Sequence, residues 1–206
     1  DKAYNLFNNP NSAVNYSNAV ATSNAGIRLQ SYNTADAAQG SLEGVNKREI
    51  NIKNGSGNVG IYALDVANTN NILGSHSYHI LGENTTTGKI NIDGTNVGMM
   101  AQDDSGTTNF KTIIKNSGTI NVGGKNSIGI LGIAYRTDNA GNKKIDEFGS
   151  NAVGQGKVDI KNQGTLSLNG EGASGIFVQN NKGTAASSGE HKALNTGTIN
   201  MSGNRA

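Results

Sequence analysis

The sequence predicts an all-β protein: a right-handed parallel β-helix of about five or six coils, carrying loop inserts. Three observations carry this. A short motif recurs along the chain, it alternates apolar and polar residues, and the composition supplies turns rather than a bulky core. The 206 residues include 29 Gly and 32 Asn, while only 34% are hydrophobic and 5% aromatic. A compact globular core draws on more large side chains than that. Disordered chains carry high charge or much proline, and here charged residues are 16% with one Pro. The fold must therefore fill a narrow interior with few aliphatic side chains and turn often.

Five copies of the motif align. They are "EINIKNGSGNVGIYA" from Glu49, "KINIDGTNVGMMA" from Lys89, "TINVGGKNSIGILG" from Thr119, "TLSLNGEGASGIFV" from Thr165 and "TINMSGN" from Thr198. A degenerate earlier copy, "VNYSNAVATSNAGIRL", starts at Val14. Equivalent positions Ile50, Ile90, Ile120, Leu166 and Ile199 are spaced 40, 30, 46 and 33 residues apart. A constant motif at unequal spacing means a constant core with variable inserts. Residues 1–48 read as an N-terminal region with a degenerate first coil or cap, and 49–206 as the repeats.

Each copy opens on "I-N-I" or "I-N-V", whose period of two marks a strand with one buried face. Gly and Asn then impose a turn. A second strand follows, with Val59, Ile61 and Ala63, or Ile128 and Ile130, facing inward. After an insert, a third strand such as "TIIK" (Thr112–Lys115) or "VDIK" (Val158–Lys161) leads into Asn-x-Gly and the next copy. Helix signals are nearly absent, with Glu43–Glu49 the least unsuited to a helical turn. Three strands per repeat make one coil, and coils stack at the strand spacing of ~4.8 Å. Ile50, Ile90, Ile120, Leu166 and Ile199 should form one inward ladder, and Ile52, Ile92, Val122, Leu168 and Met201 a second. Asn51, Asn91, Asn121, Ser167 and Asn200 should stack outside, with amides bonded along the ladder. Asn116, Asn162 and Asn195, each two residues before Gly, suit corners with left-handed backbone. The hexapeptide period of left-handed β-helices and the G-G-x-G-x-D calcium repeat are both missing, and parallel crossovers are overwhelmingly right-handed.

Four inserts follow the second strand: Asp65–Asn84, Gln102–Lys111, Ile133–Lys157 and Gln179–Lys192. All should leave from one corner and form one face. Variable loops on a fixed scaffold usually carry recognition, although they could also only cover the core. Candidate ligand-binding residues there are Tyr78, His79, Tyr135, Arg136, Lys143, Lys144 and Phe148, chosen because aromatic and cationic side chains dominate binding hot spots. "SHSYH", Ser75–His79, places two histidines at i, i+3, but no third ligand lies nearby in sequence, so it reads as a polar loop and no metal is assigned. "YRTDNAGNKKIDEF", Tyr135–Phe148, mixes both charge signs and reads as a solvated loop or a site for acidic groups. Arg28, Tyr62, Met100, Leu131 and Phe177 form a further ladder outside the tube, either covered by the inserts or left as an apolar binding stripe.

Several classes are set aside. Without cysteine neither a disulfide framework nor a thiolate metal site can form. A net charge of +2 with scattered Lys and Arg provides no stripe for nucleic acid. No apolar run approaches the ~20 residues that span a bilayer, so this segment is not expected to insert. β-Helix enzymes that cleave polysaccharides set acids on adjacent coils along one groove, whereas the strand exteriors here carry Asn, Ser and Gly. Asp93 and Asp159 are isolated, Asp103–Asp104 falls in an insert, and no G-x-S-x-G elbow occurs. The reading is therefore not an enzyme, with no cofactor.

The stretches "KNSGTINVGGKNSIGILG", "KNQGTLSLNGEGASGIF" and "ALNTGTINMSG" resemble the passenger domains of type V autotransporters of Gram-negative bacteria. They are most similar to large fusobacterial outer-membrane adhesins of the RadD kind. The resemblance covers roughly Glu49 to the C-terminus. It implies a surface-displayed adhesin whose partners are proteins or glycans of host cells or other bacteria. It also implies a membrane β-barrel translocator in the full-length protein, of which this chain is a fragment. A passive stalk, or a polysaccharide-degrading enzyme, remains the alternative.

Overall fold

The computed structural model describes residues 4–7, 14–16, 24–32, 42–66, 79–103, 111–135, 144–145, 151–152, 158–181 and 191–203. All of its regular structure is β. The first coil comprises β1 (Tyr4–Phe7), β2 (Val14–Tyr16) and β3 (Ala25–Tyr32), and the second β4 (Leu42–Asn46), β5 (Glu49–Ile52) and β6 (Ser56–Val66). The third is β7 (His79–Asn84), β8 (Lys89–Ile92) and β9 (Thr95–Asp103), and the fourth β10 (Lys111–Asn116), β11 (Thr119–Val122) and β12 (Ile128–Tyr135). A short antiparallel pair, β13 (Lys144–Ile145) and β14 (Asn151–Ala152), precedes the fifth coil. That coil is β15 (Val158–Asn162), β16 (Thr165–Leu168) and β17 (Ser174–Asn181), and β18 (Lys192–Asn195) and β19 (Thr198–Met201) begin a sixth.

Three parallel sheets result. Sheet A runs β1-β4-β7-β10-β15-β18, sheet B β2-β5-β8-β11-β16-β19, and sheet C β3-β6-β9-β12-β17. The architecture is the parallel β-helix that the repeat predicts. Register confirms the first inward ladder: Ile50, Ile90, Ile120, Leu166 and Ile199 are successive Cα partners. The second holds from Ile52 through Ile92, Val122 and Leu168 to Met201. Both are buried except at the last coil, where Met201 is 65% exposed. Sheet A adds Ile80, Ile114, Val158 and Ile160, and sheet C adds Ile61, Ala63, Met99, Ala101 and Ile130. Stacking like on like gives each aliphatic side chain neighbours above and below, so a core can be built with few aromatics.

Glu43–Glu49 forms no helical turn: Leu42–Asn46 is strand β4, whose backbone completes sheet A between β1 and β7, and Glu49 opens β5. One reading needs correction: the corner residues Asn116, Asn162 and Asn195 are not left-handed. Positive φ in non-glycine residues occurs instead at Asn54 (64°) and Asn126 (53°), between sheets B and C. The corner asparagines point inward and stack. Asn46 Nδ2 donates to Asn84 Oδ1 at 2.8 Å, Asn84 to Asn116 at 2.8 Å, Asn116 to Asn162 at 2.7 Å and Asn162 to Asn195 at 2.7 Å. The first four are fully buried. Each amide thus meets the hydrogen-bonding demand of a dry corner through its counterpart in the next coil. The glycine two residues on is selected by space. A Cβ on Gly164 would collide with Gly118 O, and one on Gly197 with Gly164 O.

Candidate binding face

Sheet C positions the face. Its strands end in step: Asp65 is the Cα partner of Asp103, Asp103 of Ala134, and Tyr135 of Asn181. Sheet A begins in step as well, with His79 opposite Lys111 and Thr112 opposite Val158. The chain therefore departs for every insert from one end of sheet C and returns at one end of sheet A. The strand bounds move the insert edges slightly, since β6, β9, β12 and β17 extend to Val66, Asp103, Tyr135 and Asn181. They also recover His79–Asn84 as a full third strand, β7, rather than insert. From the second coil on, the other two corners are short turns.

The expected site residues divide accordingly. His79 opens β7, half-exposed, with Nε2 3.5 Å from Glu43 Oε1. Tyr135 closes β12, and Lys144 lies in β13 opposite Ala152. Tyr78, Arg136, Lys143 and Phe148 lie outside the described residues. His79 and Tyr135 both sit at the insert corner, one where an insert returns and one where the next but one departs. The two-histidine metal reading has one of its members, His76, outside the described residues. Among the described residues no three His, Asp or Glu side chains gather as a metal site would require.

The outer ladder of sheet C resolves into a second apolar layer. Arg28, Tyr62, Met100, Leu131 and Phe177 are consecutive Cα partners. Tyr62, Met100 and Leu131 are buried with Val59, Leu64, Val97 and Ile133, in a cluster separate from the tube interior. The middle of the stripe is thus covered. Its ends are open: Phe177 is 44% exposed, and exposed Arg28 lays its guanidinium 5.3 Å from the Tyr62 ring centroid. The Tyr62 hydroxyl donates to Gln102 Oε1 at 2.5 Å on the neighbouring coil.

Two features escaped the sequence reading. Asp65 and Asp103 lie in register on adjacent strands, 1% and 0% exposed. Two carboxylates in register on adjacent coils resemble an enzymatic acid couple, but both side chains are buried. Assigning Asp65 and Asp103 to inserts hid the pairing. The second is a polar ladder at the corner between sheets B and C. Asn58 N–H and Nδ2 donate to Asn96 Oδ1 at 2.9 and 3.0 Å, and Asn96 N–H donates to Ser127 Oγ at 3.0 Å. Its signal was legible as Asn or Ser two residues before the repeated Gly, in "NVG" at Asn58, "NVG" at Asn96 and "SIG" at Ser127.

On sheet B the outer face is polar and half-exposed. Asn91 Nδ2 donates to Asn51 Oδ1 at 2.6 Å and Asn121 Nδ2 to Asn91 Oδ1 at 2.7 Å, as the outward ladder predicts. Asn91 Nδ2 also reaches Glu49 Oε1 at 2.8 Å, and Lys89 Nζ lies 3.5 Å from the same oxygen. Burial alone would raise the Glu49 pKa, but Asn91 and Lys89 together hold it below the ordinary carboxylate value.

No protein-family model matches the chain, and neither a curated protein nor a solved structure matches it significantly.

Proposed function

We propose that the chain is a segment of a surface-displayed adhesin that binds through the insert face. The observation that supports this most is the asymmetry of the corners. From the second coil on, two are short and repeated, while the third launches the inserts in register from one end of sheet C to one end of sheet A. A scaffold of this kind presents variable loops side by side, where contacts from successive coils add. The ligand class is a protein or glycan on a host or bacterial cell. In this reading the segment is an extracellular passenger on the surface of a Gram-negative bacterium, and a membrane β-barrel belongs to the full-length protein. No helix among the described residues is long and apolar enough to cross a membrane.

The test is binding to host cells, bacterial cells and a glycan array. One variant carries alanines at Tyr135, Arg136 and Phe148, and a second carries alanines at Asn91 and Asn121 on sheet B. Loss in the first alone supports the insert face. Loss in the second alone moves the site to sheet B. The ladders that run without interruption from coil to coil favour a second reading, a passive stalk, which failure of the parent chain to bind would support. Release of reducing sugars from polysaccharide would instead turn attention to Asp65 and Asp103.

A further inference from the structure

We infer that Asn54 is a site of spontaneous covalent modification: it deamidates in the folded protein, while the chain's other Asn-Gly step, Asn169–Gly170, is slowed by the fold. The two steps are alike in sequence and differ in what the fold does to them. Deamidation begins when the backbone nitrogen of the following residue attacks the asparagine Cγ. At Asn169 that nitrogen is engaged, because Gly170 N–H donates to Val122 O at 3.1 Å. The side chain is engaged too, with Asn169 Oδ1 accepting from Ser202 Oγ at 2.5 Å. At Asn54 the side chain is exposed, and Gly55 N–H donates no hydrogen bond among the described residues. Both residues have left-handed backbone, at φ 64° and 78°, outside any strand ladder.

The reaction needs only water. Gly55 N bonds to Asn54 Cγ, the Cγ–Nδ2 bond breaks, and ammonia leaves with the proton from Gly55 N–H. Water then opens the cyclic imide at either carbonyl, leaving aspartate or isoaspartate at position 54. The product lowers the formal net charge of +2 by one. It also alters a turn that serves the corner ladder, since Asn54 O and Gly55 O accept from Asn96 Nδ2 at 3.2 and 3.4 Å. An isoaspartyl link adds a backbone atom at that point.

The experiment incubates the full chain at mildly alkaline pH, folded and in urea, and follows both sites by peptide mapping with isoaspartate detection. In urea the two steps should convert at comparable rates. In the folded protein Asn54 should convert about tenfold faster than Asn169, roughly the factor one hydrogen bond on the attacking nitrogen provides. Asn54→Gln should remove the principal product and leave the slow Asn169 product unchanged. The inference is overturned if the folded protein converts both sites alike, or if folding protects Asn54 as strongly as Asn169. It is overturned equally if the same preference persists in urea, since the neighbouring sequence would then be its source.

Discussion

Asn116 Nδ2 donates a 2.7 Å hydrogen bond to Asn162 Oδ1, across 46 residues of sequence and one coil of structure. Both side chains are fully buried, and each amide spends one end on the coil before and the other on the coil after. From the second coil to the sixth, the ladder ties each coil to the next at the corner between sheets A and B.

Replacing Asn116 by alanine should therefore cost more than the bond it removes. Asn162 Oδ1 loses its donor, and Asn84 Nδ2 keeps only its longer contacts to Gly88 O and Thr119 O, both 3.4 Å. A loss of about 2–4 kcal/mol is expected, since buried polar groups are left short of partners. Asn121→Ala, on the half-exposed outer ladder, should cost about 1 kcal/mol or less. Urea midpoints at unchanged slope measure both. Equal losses would show that the corner ladder contributes no more than the outer one.

Glycine at the same corner can be tested separately. Gly164→Ala sets a methyl group against the backbone carbonyl of Gly118, which cannot move without shifting a coil. About 1–3 kcal/mol of destabilisation should follow. Gly123→Ala meets Asp93 Oδ1 at 2.7 Å, the end of an exposed side chain that can swing away, and should stay within about 0.5 kcal/mol. If the two variants melt together, steric selection at the corner is wrong.

Ile120 and Asn121 are adjacent and face opposite ways. Ile120 is fully buried between Ile90 and Leu166, whereas Asn121 is half-buried outside. Ile120→Asp should lose about 3–5 kcal/mol, because it places an uncompensated charge in an aliphatic ladder. Asn121→Asp gives up one hydrogen bond to Asn91 and should lose far less. Chemical denaturation of the pair reads the strand register directly, and similar losses would mean a slip of one residue.

Most of the fold was legible because its rule is local. "T-I-N-V" announces a strand and its buried face without reference to any other residue, and repetition then forces the stacking. The corner asparagines were placed correctly but explained wrongly: Asn-x-Gly has the same appearance whether glycine serves left-handed backbone or close packing, and only neighbouring coils distinguish the two. The pairing of Asp65 with Asp103 was illegible for a related reason. Thirty-seven intervening residues include an insert, and where a strand ends depends on its sheet partner more than on its own sequence. Of the candidate face, the common corner could be read from the position of the inserts. Tyr78, Arg136, Lys143 and Phe148 fall in inserts, whose sequences carry no period from which a register could be read.

His191 offers a prediction in pH. It stands one residue before β18, and its Nδ1 is buried with no hydrogen-bond partner among the described residues. Burial disfavours the imidazolium and lowers the pKa below the ordinary value of 6.5. The folded protein therefore takes up this proton less readily than the unfolded chain. Above the unfolded pKa both states are neutral, and the contribution of the neutral ring is complete. As pH falls below 6.5 the unfolded chain protonates first, so stability is lost until the folded pKa is passed. His191→Gln keeps a polar side chain that does not titrate. The parent should lose stability relative to this variant between neutral pH and about pH 5, the range in which histidine changes charge. Thermal or urea midpoints of the two proteins across that interval provide the measurement. Parallel curves would show that His191 protonates as freely in the folded protein as in the unfolded chain.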